Sequence, residues 1–267
     1  MNPGNGRLSR NTLSPSEPFW DAAALLPVVN PVFGISTYCL HQRPLPEVLE
    51  RLAPLTDCVE IMDDGPHFLE SAAPLENYPF RYCFHAPARG VNIASLHEPI
   101  RKASVVVLVQ CFGVAADVDG PVVIHPGYFT WHGEREPAER QFRRSLAELV
   151  KEAEERGVRF FIENMGNWDY FFLRFPEEVP MLDGIGLALD VGHANLNGCL
   201  DRFLGCTIAH VHLHDNDGAK DSHAPVGAGT IDFRPVMEAV RRDHATPIIE
   251  VETLEGVLRS MEALRPL

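Results

Sequence analysis

A chain of 267 residues, 45% of them apolar, can bury one sizeable core, and barrels of about 250 residues commonly form a single domain. Its formal net charge of -14 weighs against nucleic acid or an anionic membrane as partner and suits a protein that concentrates cations. No run approaches the roughly 20 apolar residues of a membrane-spanning helix, and six scattered cysteines without a CxxC pair argue for reduced thiols in a cytoplasmic protein rather than disulfides or a Cys-ligated zinc.

Residues 1–17 are polar and rich in Pro and Gly, with no apolar core of a secretory signal, and are expected to form a loose tail. From residue 18 to 267, strand-like runs alternate with helical patterns. The strands are expected at Phe33–Thr37, Cys58–Met62, Arg81–His85, Pro121–His125, Arg159–Glu163, Ile185–Asp190, Ile208–His214 and Pro247–Val251. Helical periodicity is clearest from Glu139 to Gly157, where the glycine supplies a stop. Two more helices are expected, one from a capping Asp232 to His244 and one from Thr253 to Leu264. Eight strand-then-helix units predict an α/β fold, a single-domain (β/α)8 TIM barrel. The alternative, an open doubly wound sheet, usually has a Gly-rich loop after its first strand, and GISTYCLHQRP has none.

Alternation along the strands sorts the polar residues onto one side. In IAHVHLHD, His210, His212 and His214 share a face opposite Ala209, Val211 and Leu213. Asp190 lies opposite Leu189, Glu163 opposite Ile162, and Glu250 opposite Ile249 and Val251. His125 and His85 likewise oppose Ile124 and Phe84. With the apolar face against the outer helices, six strands present an inward His, Asp or Glu near their C-terminal ends. So many carboxylates at close range require either protonation or a cation between them, and such a donor mixture suits a divalent metal. A single strand-end His or Glu is usually an ordinary hydrogen-bonding or ion-pairing residue, and the weight lies in the coincidence across six strands. His41, His67, His97, His132 and His244 fit ordinary surface or loop roles.

The ordered set FHAP, IHPG, IEN, LDVGH, HLHD and DSHAPVGAG resembles the xylose-isomerase-like TIM-barrel superfamily over roughly residues 33 to 252. That superfamily includes sugar and sugar-phosphate isomerases and epimerases, and the endonuclease IV family. The resemblance implies a divalent cofactor, zinc or manganese, with one to three ions per chain. Glu163, Asp190, His212 and Glu250 match the single-metal site of the ketose epimerases. His85 and His125 match a further ion bridged by Glu163 in endonuclease IV, and His193, Asp221 and His223 match a third. Glu252 competes with Glu250 for the last-strand position. One departure stands out: the aromatic–aliphatic pair that endonuclease IV wedges into DNA is replaced by Ala88, Arg89 and Gly90.

The resemblance leaves two chemistries open. In an isomerase or epimerase of a sugar or sugar phosphate, one metal would stabilise an enediolate, with Glu163 and Glu250 as base and acid and His193 holding a substrate oxygen. Arg89, Glu60 and His214 are candidate substrate-binding residues. Arg89 or the Gly227-Ala228-Gly229 turn would meet a phosphate, although a plain tight turn is the simpler account of the glycines. In the alternative, clustered metals would hydrolyse a phosphoester. A non-catalytic metal-binding barrel is the third reading. The missing wedge and the acidic balance place isomerisation of a small-molecule substrate slightly ahead, with nucleic acid disfavoured. Oligomeric state is not encoded in these motifs.

Overall fold

The computed structural model describes Met1 and residues 33–267; the expected tail at residues 1–17 lies outside the described residues. Eight strands close into a parallel barrel in sequence order. They are β1 (Gly34–Ser36), β2 (Cys58–Met62), β3 (Arg81–His85), β4 (Val122–Ile124), β5 (Phe160–Glu163), β6 (Gly186–Asp190), β7 (Ile208–Leu213) and β8 (Thr246–Ile249), with β8 pairing β1. All eight expected strands are present. Several end earlier than expected, so His125, His214 and Glu250 sit just past their strands, where the chain turns over the mouth.

The outer layer holds α1 (Leu45–Leu52), α2 (Glu98–Asp117), α3 (Arg135–Arg156), α4 (Val191–Leu196), α5 (Leu200–Phe203), α6 (Phe233–Asp243) and α7 (Leu254–Leu264). The three helices expected from periodicity form. Gly157 ends α3 in the left-handed conformation at φ 70°, where a side chain would be strained. Asp232 and Thr253 cap α6 and α7, accepting from Arg234 and Gly256 backbone N–H groups. The strict strand–helix alternation does not hold. The crossovers from β2 to β3 and from β5 to β6 carry only 3₁₀ turns, and Pro66, Pro74, Pro176 and Pro180 within them explain why no α-helix propagates.

The sequence suggests no run of membrane-spanning length, yet α2, alone among the described helices, is long and apolar enough to cross a bilayer. Here it packs on β3, β4 and α3 and buries Arg101, whose guanidinium pairs with Glu98 and Glu148 and donates to Ser145. Such burial identifies the face of a packed core helix.

Inside the barrel, beneath the polar residues, two apolar clusters fill the interior. Cys58, Cys83 and Ile248 cluster, and Val123, Phe161 and Ala188 form a second cluster with Ala209 packed against it. Gly34 makes room: a Cβ there would stand 2.3 Å from Ile248 Cδ1. Ala209, expected on the outer face, packs inward, because the β6–β7 register shifts between Leu187 and Ala188. Such an irregularity places neighbouring residues on one face. All six cysteines are free, five buried and Cys206 partly so.

Candidate metal centre

The upper layer of the barrel gathers the polar residues. Glu163 ends β5 and Asp190 ends β6. Asn164 ties the two ends together: its Oδ1 accepts from the Asp190 N–H at 2.7 Å, and its Nδ2 donates to the Asp190 carbonyl at 3.0 Å. Asp190 also caps α4, accepting from the His193 N–H at 2.6 Å, which fixes His193 over the mouth. The loop after β7 is organised by buried Asp215, whose carboxylate accepts from the N–H groups of Asn216, Gly227, Gly229 and Ile231. That arrangement presents Asp221 and His223. It also commits the Gly227 and Gly229 N–H groups to Asp215, so this turn is a structural one and not a phosphate cradle.

Three donor sets result at the mouth, and a fourth grouping, Glu60 with His210 and His212, lies beneath them. In the first, Nε2 of His85 and of His125 stand 3.1 Å apart, and Glu163 Oε2 lies 3.3 and 2.9 Å from them. In the second, His212 Nδ1 lies 2.9 Å from Glu163 Oε1, 3.1 Å from Glu250 Oε2 and 3.9 Å from Asp190 Oδ2. In the third, Asp221 Oδ2 lies 3.1 Å from His193 Nε2 and 3.6 Å from His223 Nε2. Donors bound at about 2.0–2.1 Å to one tetrahedral ion stand about 3.3–3.4 Å apart, so these separations fit divalent ligation. The nine residues inferred from resemblance are thus brought together in the groupings expected. Glu250 is the last-strand member, since Glu252 is exposed.

The histidine orientations fit the same chemistry. Nδ1 of His85, His193 and His223 pairs with a backbone carbonyl, of Ala86, Asn164 and Glu250 respectively. A proton placed there leaves each Nε2 lone pair facing its set, as metal-binding histidines are held in general. Glu163 Oε2, although buried between two imidazoles, has no aligned hydrogen bond; buried polar atoms rarely stay so without a further partner.

Electrostatics point the same way. Burial alone would lower the imidazole pKa values, but the carboxylates prevail. Glu163 raises His85 to about 9, and Asp190 with Asp221 raises His193 to about 10. Asp221 and Glu250 raise His223 to about 9. His212 rises as well, against burial, beside Glu250, Glu60 and Glu163. Burial would raise the carboxylates, yet His212 and His125 hold Glu163 well below its usual range, and His193 and His214 lower Asp190. Cations and protons compete for the same lone pairs in such a field.

A cavity of about 360 Å³ opens above the sets, lined by Tyr38, His41, Asp64, Arg89 and Phe171 together with ligand residues. Arg89 reaches it as expected, its loop held by Asp64 Oδ2, which accepts from the Ala88 and Arg89 N–H groups. Glu60 and His214, expected to touch substrate, are fully buried and do not line it. Glu60 lies a layer below, against His210. His214 donates behind Asp190 at 3.0 Å and stacks on His223 at 4.0 Å. Two histidines assigned to ordinary surface or loop roles also differ. His41 lines the cavity, and His67 is buried between Thr37 and the Arg43 carbonyl. Tyr38 was not foreseen; it follows β1 at the mouth, a position that only the closed barrel makes meaningful.

Residues 57–267 match the model of the xylose isomerase-like TIM barrel family. An uncharacterized protein of Methanocaldococcus jannaschii is 33% identical over 229 residues, covering 82% of this chain and 91% of that one. A probable endonuclease 4 of Mycobacterium ulcerans is 30% identical over 210 residues, covering 72% of this chain and 81% of its own. Among solved structures, a D-tagatose 3-epimerase-like protein superposes with a TM-score of 0.81 at 28% identity, covering 88% of this chain and 96% of that one. The chain belongs to the xylose isomerase-like TIM barrel family.

Proposed function

We propose that this family member is a phosphoester hydrolase whose centre holds three divalent cations. The observation that carries the reading is the position of Glu163. Its Oε2 belongs to the His85 and His125 pair while its Oε1 belongs to the His212 set. A carboxylate shared in this way would hold two neighbouring ions, one through each oxygen. Enediolate chemistry on one ion has no use for His85, His125, Asp221 and His223, whereas hydrolysis at a multinuclear centre uses them all. This reverses the slight preference that the missing wedge and net charge suggested. Bound divalent cations would supply a more acidic water and charge stabilisation for the attacking and leaving oxygens.

The chain's own groups bind and orient. Arg89 donates to a phosphoryl oxygen at the rim. The Tyr38 hydroxyl is kept protonated by burial and by Glu252, Glu250 and Asp221. It sits beside His223 and donates a hydrogen bond to the leaving oxygen while keeping its proton; as the P–O bond to that oxygen breaks and the bond to water forms, the proton released by the water is the one the leaving oxygen gains. The small cavity and the absence of a wedge favour a compact phosphoester over duplex DNA.

A sugar epimerase is the second reading. It is favoured by Glu163, Asp190, His212 and Glu250 forming a four-donor set by themselves and by the likeness to the D-tagatose 3-epimerase-like protein. The test assays zinc- or manganese-loaded protein on p-nitrophenyl phosphate and bis(p-nitrophenyl) phosphate, and in parallel on ketohexoses in D₂O. Turnover of a phosphate ester without deuterium in any sugar is expected. Deuterium at a sugar carbon with no ester turnover selects the epimerase.

A further inference from the structure

One buried carboxylate has no part in the proposed reaction. Glu60, on β2, is fully enclosed, beside Ser36 of β1 and Cys83 of β3 in the sheet. Its Oε2 accepts from His210 Nε2 at 2.7 Å. Its Oε1 lies 3.1 Å from His212 Nε2, within reach but not in line for a hydrogen bond, and neither atom has an aligned hydrogen bond to any group. A buried ion pair is seldom more stabilising than apolar residues of the same volume. Stability therefore does not account for a carboxylate in the middle of the barrel.

The two ring nitrogens of His212 face different surroundings. Nδ1 looks up at Glu163, Asp190 and Glu250; Nε2 looks down at Glu60. An imidazole that offers the Nδ1 lone pair to a cation carries its remaining proton on Nε2. In a ring that is fully buried, that proton needs an acceptor, and the atom facing it is Glu60 Oε1. His210 occupies the other oxygen and so holds the carboxylate in place.

We infer that Glu60, steadied by His210, is a positioning residue: it accepts a hydrogen bond from the Nε2–H of His212 and fixes the ring that offers Nδ1 to the Glu163, Asp190 and Glu250 set. The inference rests on the reading that this set binds a cation, and is indifferent to which reaction follows. Glu60, His210 and His212 also lie close enough to form a donor set themselves. An ion there would take Nε2 while the upper set takes Nδ1, leaving His212 no proton. It would also lie beneath the ligand layer, and Glu60, His210 and His212 do not line the cavity above the sets.

The test compares the full chain with Glu60→Gln, which keeps the volume but leaves one acceptor oxygen where two are needed. Zinc affinities are read by competition with a chromophoric chelator. The ring protons of the zinc-loaded wild type are read by ¹⁵N-edited histidine spectra. Expected are a proton on His212 Nε2 in the wild type and, in the variant, one ion weakened about 10–100-fold with the others unchanged. Unchanged affinity of every ion overturns the inference, as does equal weakening of all ions alongside lowered stability, which marks a structural role. A fourth ion in the wild type that the variant loses also overturns it. Should the variant not fold, an unprotonated His212 Nε2 in the zinc-loaded wild type is sufficient to overturn it. If the wild type binds no ion at the upper set, the underlying metal reading fails instead.

Discussion

Replacing Glu163 by Gln keeps the shape of the side chain, removes its charge and turns one acceptor oxygen into a donor. Oε2 faces Nε2 of His85 and His125 at 3.3 and 2.9 Å, and Oε1 faces His212 Nδ1 at 2.9 Å. Whichever way the amide turns, one set receives an NH₂ group where it needs a lone pair, and the other receives a neutral oxygen. Loss of a partner behind a ligand typically weakens metal binding about 10–100-fold. Loss of a direct ligand exceeds that, so more than about 100-fold, or about 2.8 kcal/mol per ion, is expected at both sets. The set of His193, Asp221 and His223 does not use Glu163 as a ligand and keeps its ion. Elemental analysis after dialysis against a weak chelator reads the outcome, with one ion expected in the variant against three in the wild type. Equal metal content in the two proteins refutes the bridging role, and loss of all three ions refutes the independence of the third set.

Asp221→Asn removes the carboxylate shared by His193 and His223 and should release one ion of three while the other two stay, as counted in the same way. Arg89→Ala should leave the metal content unchanged and raise KM for a phosphate ester about 10–100-fold, the worth of a hydrogen bond to a charged group; an unchanged KM removes Arg89 from the phosphate. A Cβ on Gly192 would stand 2.0 Å from His214 Cε1, so Gly192→Ala should push His214 off Asp190 and cost about 1–3 kcal/mol in a denaturant titration, and a neutral result means that the ring moves freely. The last prediction concerns pH. His85, His193 and His223 are raised to about 9, 10 and 9. Their contribution to chelator-treated protein is full below an ordinary His pKa of about 6.5 and disappears as pH rises through 9 to 10. Glu163 and Asp190 are lowered, so theirs is present above about 4 and lost in acid. Thermal unfolding of the chelated protein should therefore show lower Tm on both sides of that window, while zinc should flatten the alkaline side. A Tm constant from pH 6.5 to 10 without metal contradicts this.

Strand periodicity put Glu163, Asp190 and His212 on the inner face because a two-residue repeat alternates sides wherever the pairing is regular, whereas Glu250 reaches the same layer just past the end of β8. The same repeat shows which side a residue faces but not its depth. Glu60 and His214 face the interior, yet one lies beneath the ligand layer and the other behind Asp190, under the start of α4 where Gly192 leaves space for its ring. Helix α2 was less legible than α3, since the run from Val105 to Val109 carries the β-branched character of a strand and no polar stripe. The 3₁₀ crossovers were hidden for the opposite reason: prolines mark a break, but not what replaces the helix. The inward turn of Ala209 arises from pairing between β6 and β7, which no local pattern encodes. Tyr38 and His41 enter the site only because barrel closure brings the segment after β1 next to the loops after β7 and β8.

The most direct measurement is zinc anomalous scattering from crystals of the metal-loaded protein. Three peaks are expected: one among His85, His125 and Glu163, one among Glu163, Asp190, His212 and Glu250, and one among His193, Asp221 and His223. A single peak, confined to the Glu163, Asp190, His212 and Glu250 set at saturating zinc, would contradict the multinuclear centre and with it the hydrolase.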